Sequence, residues 1–150
     1  MKKIILSLAL VASLCFSMNA QDISKAIGIR GGNYNWELSY QNPLGNSNRL
    51  ELDLGLYSGY GLNIAGVYQW TKSLSFVADG LHWYYGFGPE VGLWSKSLAL
   101  GICGQIGLEY NFNNIPLQLS LDYRPGWYFI PSSYHWNTGD GAAFSVRYKF

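Results

Sequence analysis

Hydrophobic and polar residues alternate singly along most of the chain from residue 26 onward. The plainest case is 50–57, where Leu50, Leu52, Leu54 and Leu56 interleave with Glu51, Asp53, Gly55 and Tyr57. A period of two puts those leucines on one face of a β-strand and the carboxylates on the other. The same reading predicts eight strands, over about 26–32, 34–41, 50–57, 61–71, 81–93, 98–110, 117–124 and 140–150. Pro89 has no amide proton for a ladder, so a bulge or an early end is expected near Gly88. The stretch 73–80 is too long for a tight turn and is expected to be an irregular connection.

Across these strands one face collects nearly all the Leu, Ile, Phe and Trp. The other carries Arg30, Glu37, Glu51, Asp53, Gln105, Glu109, Asp122, Arg124, Arg147 and Lys149, spaced by Gly, Ala and Ser. A small water-soluble barrel fills its interior with apolar side chains. Eight strands enclose a narrow lumen, which suits small residues and paired charges better than rows of leucine. The apolar face is therefore expected to point outward into lipid. An even strand count also lets an antiparallel barrel close without an edge. The predicted fold is all-β: a closed antiparallel eight-stranded transmembrane β-barrel with a polar, filled lumen.

Aromatic positions fit that frame. If both termini are periplasmic, Tyr40, Trp70, Trp83, Tyr110, Tyr148 and Phe150 fall near one rim, and Trp36 and Tyr123 near the other. Trp and Tyr favour the two interfaces of a bilayer, although aromatics also favour strands in general. The first twenty residues point to the same address. Lys2 and Lys3 precede an apolar run at 4–16, too short for a spanning helix, and 17–20 end in Ala20. This describes a secretory signal peptide over 1–20, with a barrel domain over 21–150. Cys15 raises a lipoprotein signal, which the bulky Leu14 before it disfavours.

Without the leader, the Lys+Arg total falls from 10 to 8, against 9 Asp+Glu, so no basic nucleic-acid footprint exists. Cys103 is then the single cysteine, so no internal disulfide forms. Neither a metal-ligand cluster nor a phosphate-binding glycine loop is present, and no cofactor is expected.

The leader, the eight alternating segments and the ending at 144–150 together resemble the small eight-stranded outer-membrane β-barrels of Gram-negative bacteria, the OmpA/OmpX type. That resemblance implies insertion by the barrel-assembly machinery, which reads the terminal strand through Phe144, Val146, Tyr148 and the final Phe150. It implies outer-membrane lipid as the surroundings and a monomer. Adhesins, structural barrels, small pores and lipid-modifying enzymes all share the fold, so function rests on sites.

Three constellations bear on function. The inward charges Arg30, Glu37, Glu51, Asp53, Glu109, Asp122, Arg124, Arg147 and Lys149 could line a pore, or could fill the lumen as salt bridges. The narrow lumen and the cost of unpaired buried charge favour the plug. The segment 125–139 reads as the longest outer loop and carries Trp127, Tyr128, Phe129, Tyr134 and Trp136. These aromatics are either a surface platform or strand extension resting on headgroups. Barrel lipid A deacylases, in that resemblance, use a His-x-Ser pair, but His135 is followed by Trp136 and Asn137. His82 reads as hydrogen-bonded structure. The expected role is non-catalytic: envelope structure or surface interaction, with a narrow pore as the alternative and a lipid-modifying enzyme behind it.

Overall fold

The structure, a computed structural model, describes residues 24–32, 35–57, 61–94, 97–130, 135–137 and 141–150, the side chains at 57, 94, 97, 130 and 135–137 excepted. The leader with Cys15 lies outside the described residues, as do Tyr134 and the side chains of His135 and Trp136. Among the described residues ten strands occur: β1 Ala26–Gly32, β2 Asn35–Pro43, β3 Asn48–Tyr57, β4 Gly61–Ser73, β5 Leu81–Trp94, β6 Ser97–Asn111, β7 Leu117–Tyr123, β8 Gly126–Ile130, β9 His135–Asn137 and β10 Ala142–Lys149. Each pairs antiparallel with its neighbours in the order β5-β4-β3-β2-β1-β10-β7-β6, and a β5–β6 pairing closes the circle. β8 continues β7 along β6 and pairs in turn with β9, so the wall is an eight-stranded closed barrel.

Strand stagger follows from the register. From Arg30, paired residues lead through β2, β3 and β4 to Gly92 on β5. The other way, through β10, β7 and β6, they lead to His82, ten residues from Gly92 on the same strand. With ~3.3 Å per residue and ~4.8 Å between strands, that offset tilts the strands by about 40° and leaves an interior just wide enough for side chains.

Burial alternates with the period of the sequence. Leu52, Leu54, Leu56, Ile64, Ile102, Ile106, Leu121, Phe144 and Val146 are all exposed on the outer wall. The four arginines Arg30, Arg49, Arg124 and Arg147 and the carboxylates on the same face are buried inside. Small residues make room for large neighbours. A Cβ at Gly107 would lie 2.7 Å from the Tyr84 hydroxyl and from Asp122 Cβ, and one at Gly55 would lie 2.8 Å from Glu37 Cγ. Gly107→Ala is expected to overpack that point and lower the unfolding free energy by about 1–3 kcal/mol, measured by equilibrium denaturation.

Two local expectations are corrected. β5 neither bulges nor ends at Gly88: its register against β6 is unbroken from Leu81 to Trp94, and Pro89 pairs with Ile102. Against β4 the register is the same on both sides of the proline. The proline ring points outward, and Gly88, lacking a Cβ, lets the strand pass close to the Gly66 carbonyl. A missing donor therefore interrupts the β4 ladder at Gly88 and Pro89 and does not end the strand. The segment 74–80 is a compact turn and not an irregular loop. Val77 N donates to the Leu74 carbonyl at 2.8 Å, and Asn111 N donates to the Gly80 carbonyl at 2.8 Å. Gly80 takes a positive φ of 86°, which glycine adopts at little cost.

Candidate functional site

The chemistry of this barrel is concentrated in its lumen, where ion pairs run from wall to wall. Arg124 follows β7 and pairs with Asp53 on β3, four strands away in either direction and so on the opposite wall. Its Nη2 also lies 2.5 Å from Glu37 Oε1 on β2. Arg30 donates from Nη1 to Glu37 Oε2 at 3.0 Å and from Nη2 to Asp122 Oδ1 at 2.5 Å. These groups form the half of the network away from the termini.

The other half is built around Glu51. Its carboxylate accepts from Gln41 Nε2 at 2.5 Å and from Gln105 Nε2 at 3.1 Å, and lies 3.2 Å from Arg147 Nη2. Arg147 also donates to the hydroxyls of Ser39 and Ser120, at 2.9 and 2.7 Å. Arg49 pairs with Glu109 at 2.6 Å and stands over the Tyr84 ring, 4.8 Å from its centroid. The Tyr84 hydroxyl donates to Asp122 Oδ2 at 3.3 Å, linking the two halves. Buried charges need partners of this kind, and pairing supplies them even where its net contribution to stability is small.

Of the charged positions singled out in the sequence, Arg30, Glu37, Glu51, Asp53, Glu109, Asp122, Arg124 and Arg147 meet in this network. Lys149 stands apart at the terminal rim, where its Nζ donates to the Phe112 carbonyl at 3.0 Å. Arg49 lies just before the strand expected over 50–57, and the alternation extended back by one residue places it inside, where it is buried. Glu90 and the amides of Asn35, Gln41, Asn63, Gln69 and Gln118 are further buried members of the lumen.

On the outer wall Trp70, Trp83 and Tyr85 form a continuous aromatic group near the terminal rim, with centroids 5.5 Å apart for Trp70–Tyr85 and 5.3 Å for Trp83–Tyr85. Tyr110 stands edge-on to Phe112 at 4.8 Å, and the Tyr40 hydroxyl donates to Asn42 Oδ1 at 3.4 Å. Trp36, 69% exposed at the far end of β2, lies against Gly31 of β1. Tyr123 is not at a rim, because the strand runs on past it as β8.

The segment 125–139 is likewise not a free loop over its whole length. β8 pairs with β6 from Cys103 to Leu100, and β9 pairs with β8. Trp127 and Phe129 point outward, whereas Tyr128 is buried among lumen groups. In the closing strand, Phe144 and Val146 face outward, Tyr148 is half-buried, and Phe150 N donates to the Lys25 carbonyl at 2.8 Å. His82 packs at the terminal rim with its Nδ1 3.2 Å from the Gly80 carbonyl. Among the described residues, no three His, Cys, Asp or Glu side chains converge as they would on a metal ion. No protein-family model, no curated protein and no solved structure matches the chain.

Proposed function

We propose that this chain is an integral outer-membrane β-barrel with both termini on the periplasmic side and a closed lumen. Its role is envelope structure or surface interaction, without catalysis. The observation that carries this reading is the inversion of the barrel: among the described residues, large apolar side chains cover the outer wall and most charges of the strands lie inside. In water such a continuous apolar wall would associate or aggregate. In a bilayer it is the solvated surface, and the closed strand pairing leaves no unsatisfied edge.

Two apolar grooves on the outer wall support lipid as the neighbour. One, of about 440 Å³, passes over Gly28 and Gly31 between Ile27, Ile29, Trp36 and Phe144. The other, of about 400 Å³, passes over Gly107 between Ile106, Leu108 and Leu121. Both have the shape and polarity to take acyl chains. The outward row Phe144, Val146, Tyr148 and Phe150 is the surface that insertion machinery would read. Ion pairs across the diameter favour a plug over a pore.

The test is planar-bilayer recording on the refolded protein, with insertion verified by β-rich circular dichroism and protection from protease. The expected result is inserted protein without discrete current steps. Reproducible unitary steps would replace the plug with a narrow ion pore, and failure to insert would remove the membrane reading.

A further inference from the structure

The buried charges of the lumen do not balance, and the imbalance lies at one end. Toward the termini, Arg49 and Arg147 stand against Glu51 and Glu109. Toward the far rim, Arg30 and Arg124 stand against Glu37, Asp53, Asp122 and Glu90. The two arginines hold the first three of these carboxylates. Among the described residues Glu90 pairs with no cation. Its Oε1 accepts from Asn63 Nδ2 at 2.7 Å.

A second, independent feature occurs at the same place. Asn63 is 1% exposed, yet its Oδ1 accepts no hydrogen bond among the described residues. Asp53 Oδ1 and Asn35 Oδ1 are equally buried and bare. The amide orientations are set by charge: Asn63 turns its nitrogen to Glu90 and Asn35 turns its nitrogen to Glu37, so each leaves an oxygen over. Bare oxygens also occur toward the termini, on Gln41 and Gln118, but there the charges balance and any neutral donor would serve.

Register brings these groups together. Asp53, Ala65 and Glu90 are direct neighbours on β3, β4 and β5, and the next row outward is Gly55, Asn63 and Gly92. Ala65, which separates the two carboxylates along this row, is small and fully buried, and Glu37 fills the space over Gly55. Strand tilt brings Asn35 to the level of Asn63 and Glu90. At Gly126, on the opposite side, a Cβ would come 2.6 Å from Glu90 Oε2.

We infer that the outer half of the lumen binds a hard divalent cation, held by Glu90 and by the bare oxygens of Asn63 and Asp53, with Asn35 at the same level. A carboxylate in so buried a place is held by a counter-charge or by a proton, and a bound cation supplies the first. Carboxylate and amide oxygens suit Ca²⁺, whose coordination is oxygen-based and tolerant of irregular geometry. The site draws on amide oxygens, which agrees with the lack of three converging His, Cys, Asp or Glu side chains among the described residues. The inference rests on the filled lumen proposed above, and not on the membrane placement.

The experiment is calorimetric titration of the folded full chain in detergent with CaCl₂, alongside thermal unfolding in Ca²⁺ and in EDTA. Saturable binding is expected with a dissociation constant on the order of 10⁻⁴–10⁻³ M, together with a higher unfolding temperature in Ca²⁺. Glu90→Gln should weaken binding by ~10-fold or more, and Asn63→Asp should tighten it. No saturable binding over that range overturns the proposal. So does equal binding by wild type and Glu90→Gln, which would place the ion elsewhere. If Glu90→Gln does not fold, unchanged affinity in Asn63→Asp overturns it instead. Bilayer insertion is measured separately, so a failure here leaves the membrane reading standing.

Discussion

Arg124→Ala is expected to cost the folded barrel about 3–5 kcal/mol, the range for removing one partner of a buried ion pair. The reason is asymmetric. Glu37 loses Arg124 but keeps Arg30 at 3.0 Å. Asp53 loses the one arginine it pairs with among the described residues and is left charged inside the wall. Adding Asp53→Asn to Arg124→Ala should therefore recover a large part of the loss, and adding Glu37→Gln should recover little. Equilibrium denaturation of the three variants in detergent checks this. Equal recovery by both second substitutions would mean that the two carboxylates share Arg124 evenly and that Arg30 contributes nothing.

The second large effect concerns the outer wall. Leu54 pairs with Leu38 and Ile64, faces outward and is 46% exposed. In a bilayer, Leu54→Arg places a guanidinium near the hydrocarbon midplane and should cost ~2–4 kcal/mol, as should Leu119→Arg. On a wall that faced water, the same change would fall within about 0.5 kcal/mol. Ser120→Arg gives the contrast, because its main penalty is crowding in the lumen against Arg147, which donates to the Ser120 hydroxyl at 2.7 Å. Unfolding measured in lipid vesicles decides the matter. Harmless Leu→Arg substitutions there would show that the apolar wall does not face lipid.

Inside and outside were readable from sequence because the period of two is local: each residue's face follows from its neighbour's. Leu52 and Asp53, or Val146 and Arg147, need no knowledge of the rest of the chain. Partners across the lumen were not readable, since they depend on stagger and closure. Nothing in the sequence pairs residue 53 with residue 124. Of the two expectations for the aromatics of 125–139, surface platform or strand extension, the second holds over 126–130. The seventh strand is expected to end at 124, yet the alternation keeps its phase across Pro125 and Gly126, with Arg124, Gly126 and Tyr128 inward and Tyr123, Trp127 and Phe129 outward. The Pro125 carbonyl accepts from Gly104 N at 3.1 Å, so the strand is held through the break. At Pro89 only the donor is lost, so the strand runs on where a bulge or an early end is expected.

The ion pairs also carry a consequence for assembly order. Of the pairs described, Arg30–Glu37 alone joins residues from the same half of the sequence. The others tie β1, β2 and β3 to β6, to β10 or to the β7 end. A nascent sheet of the first four strands therefore holds Arg49, Glu51 and Asp53 without their cross-lumen ion-pair partners until β6, the end of β7 and β10 arrive. Partly zipped intermediates gain little, so closure is cooperative. A closing strand slipped by two residues would keep its apolar face but carry Arg147 away from Ser39 and Glu51. The lumen thus acts as a lock that only one alignment of the first and last strands can turn.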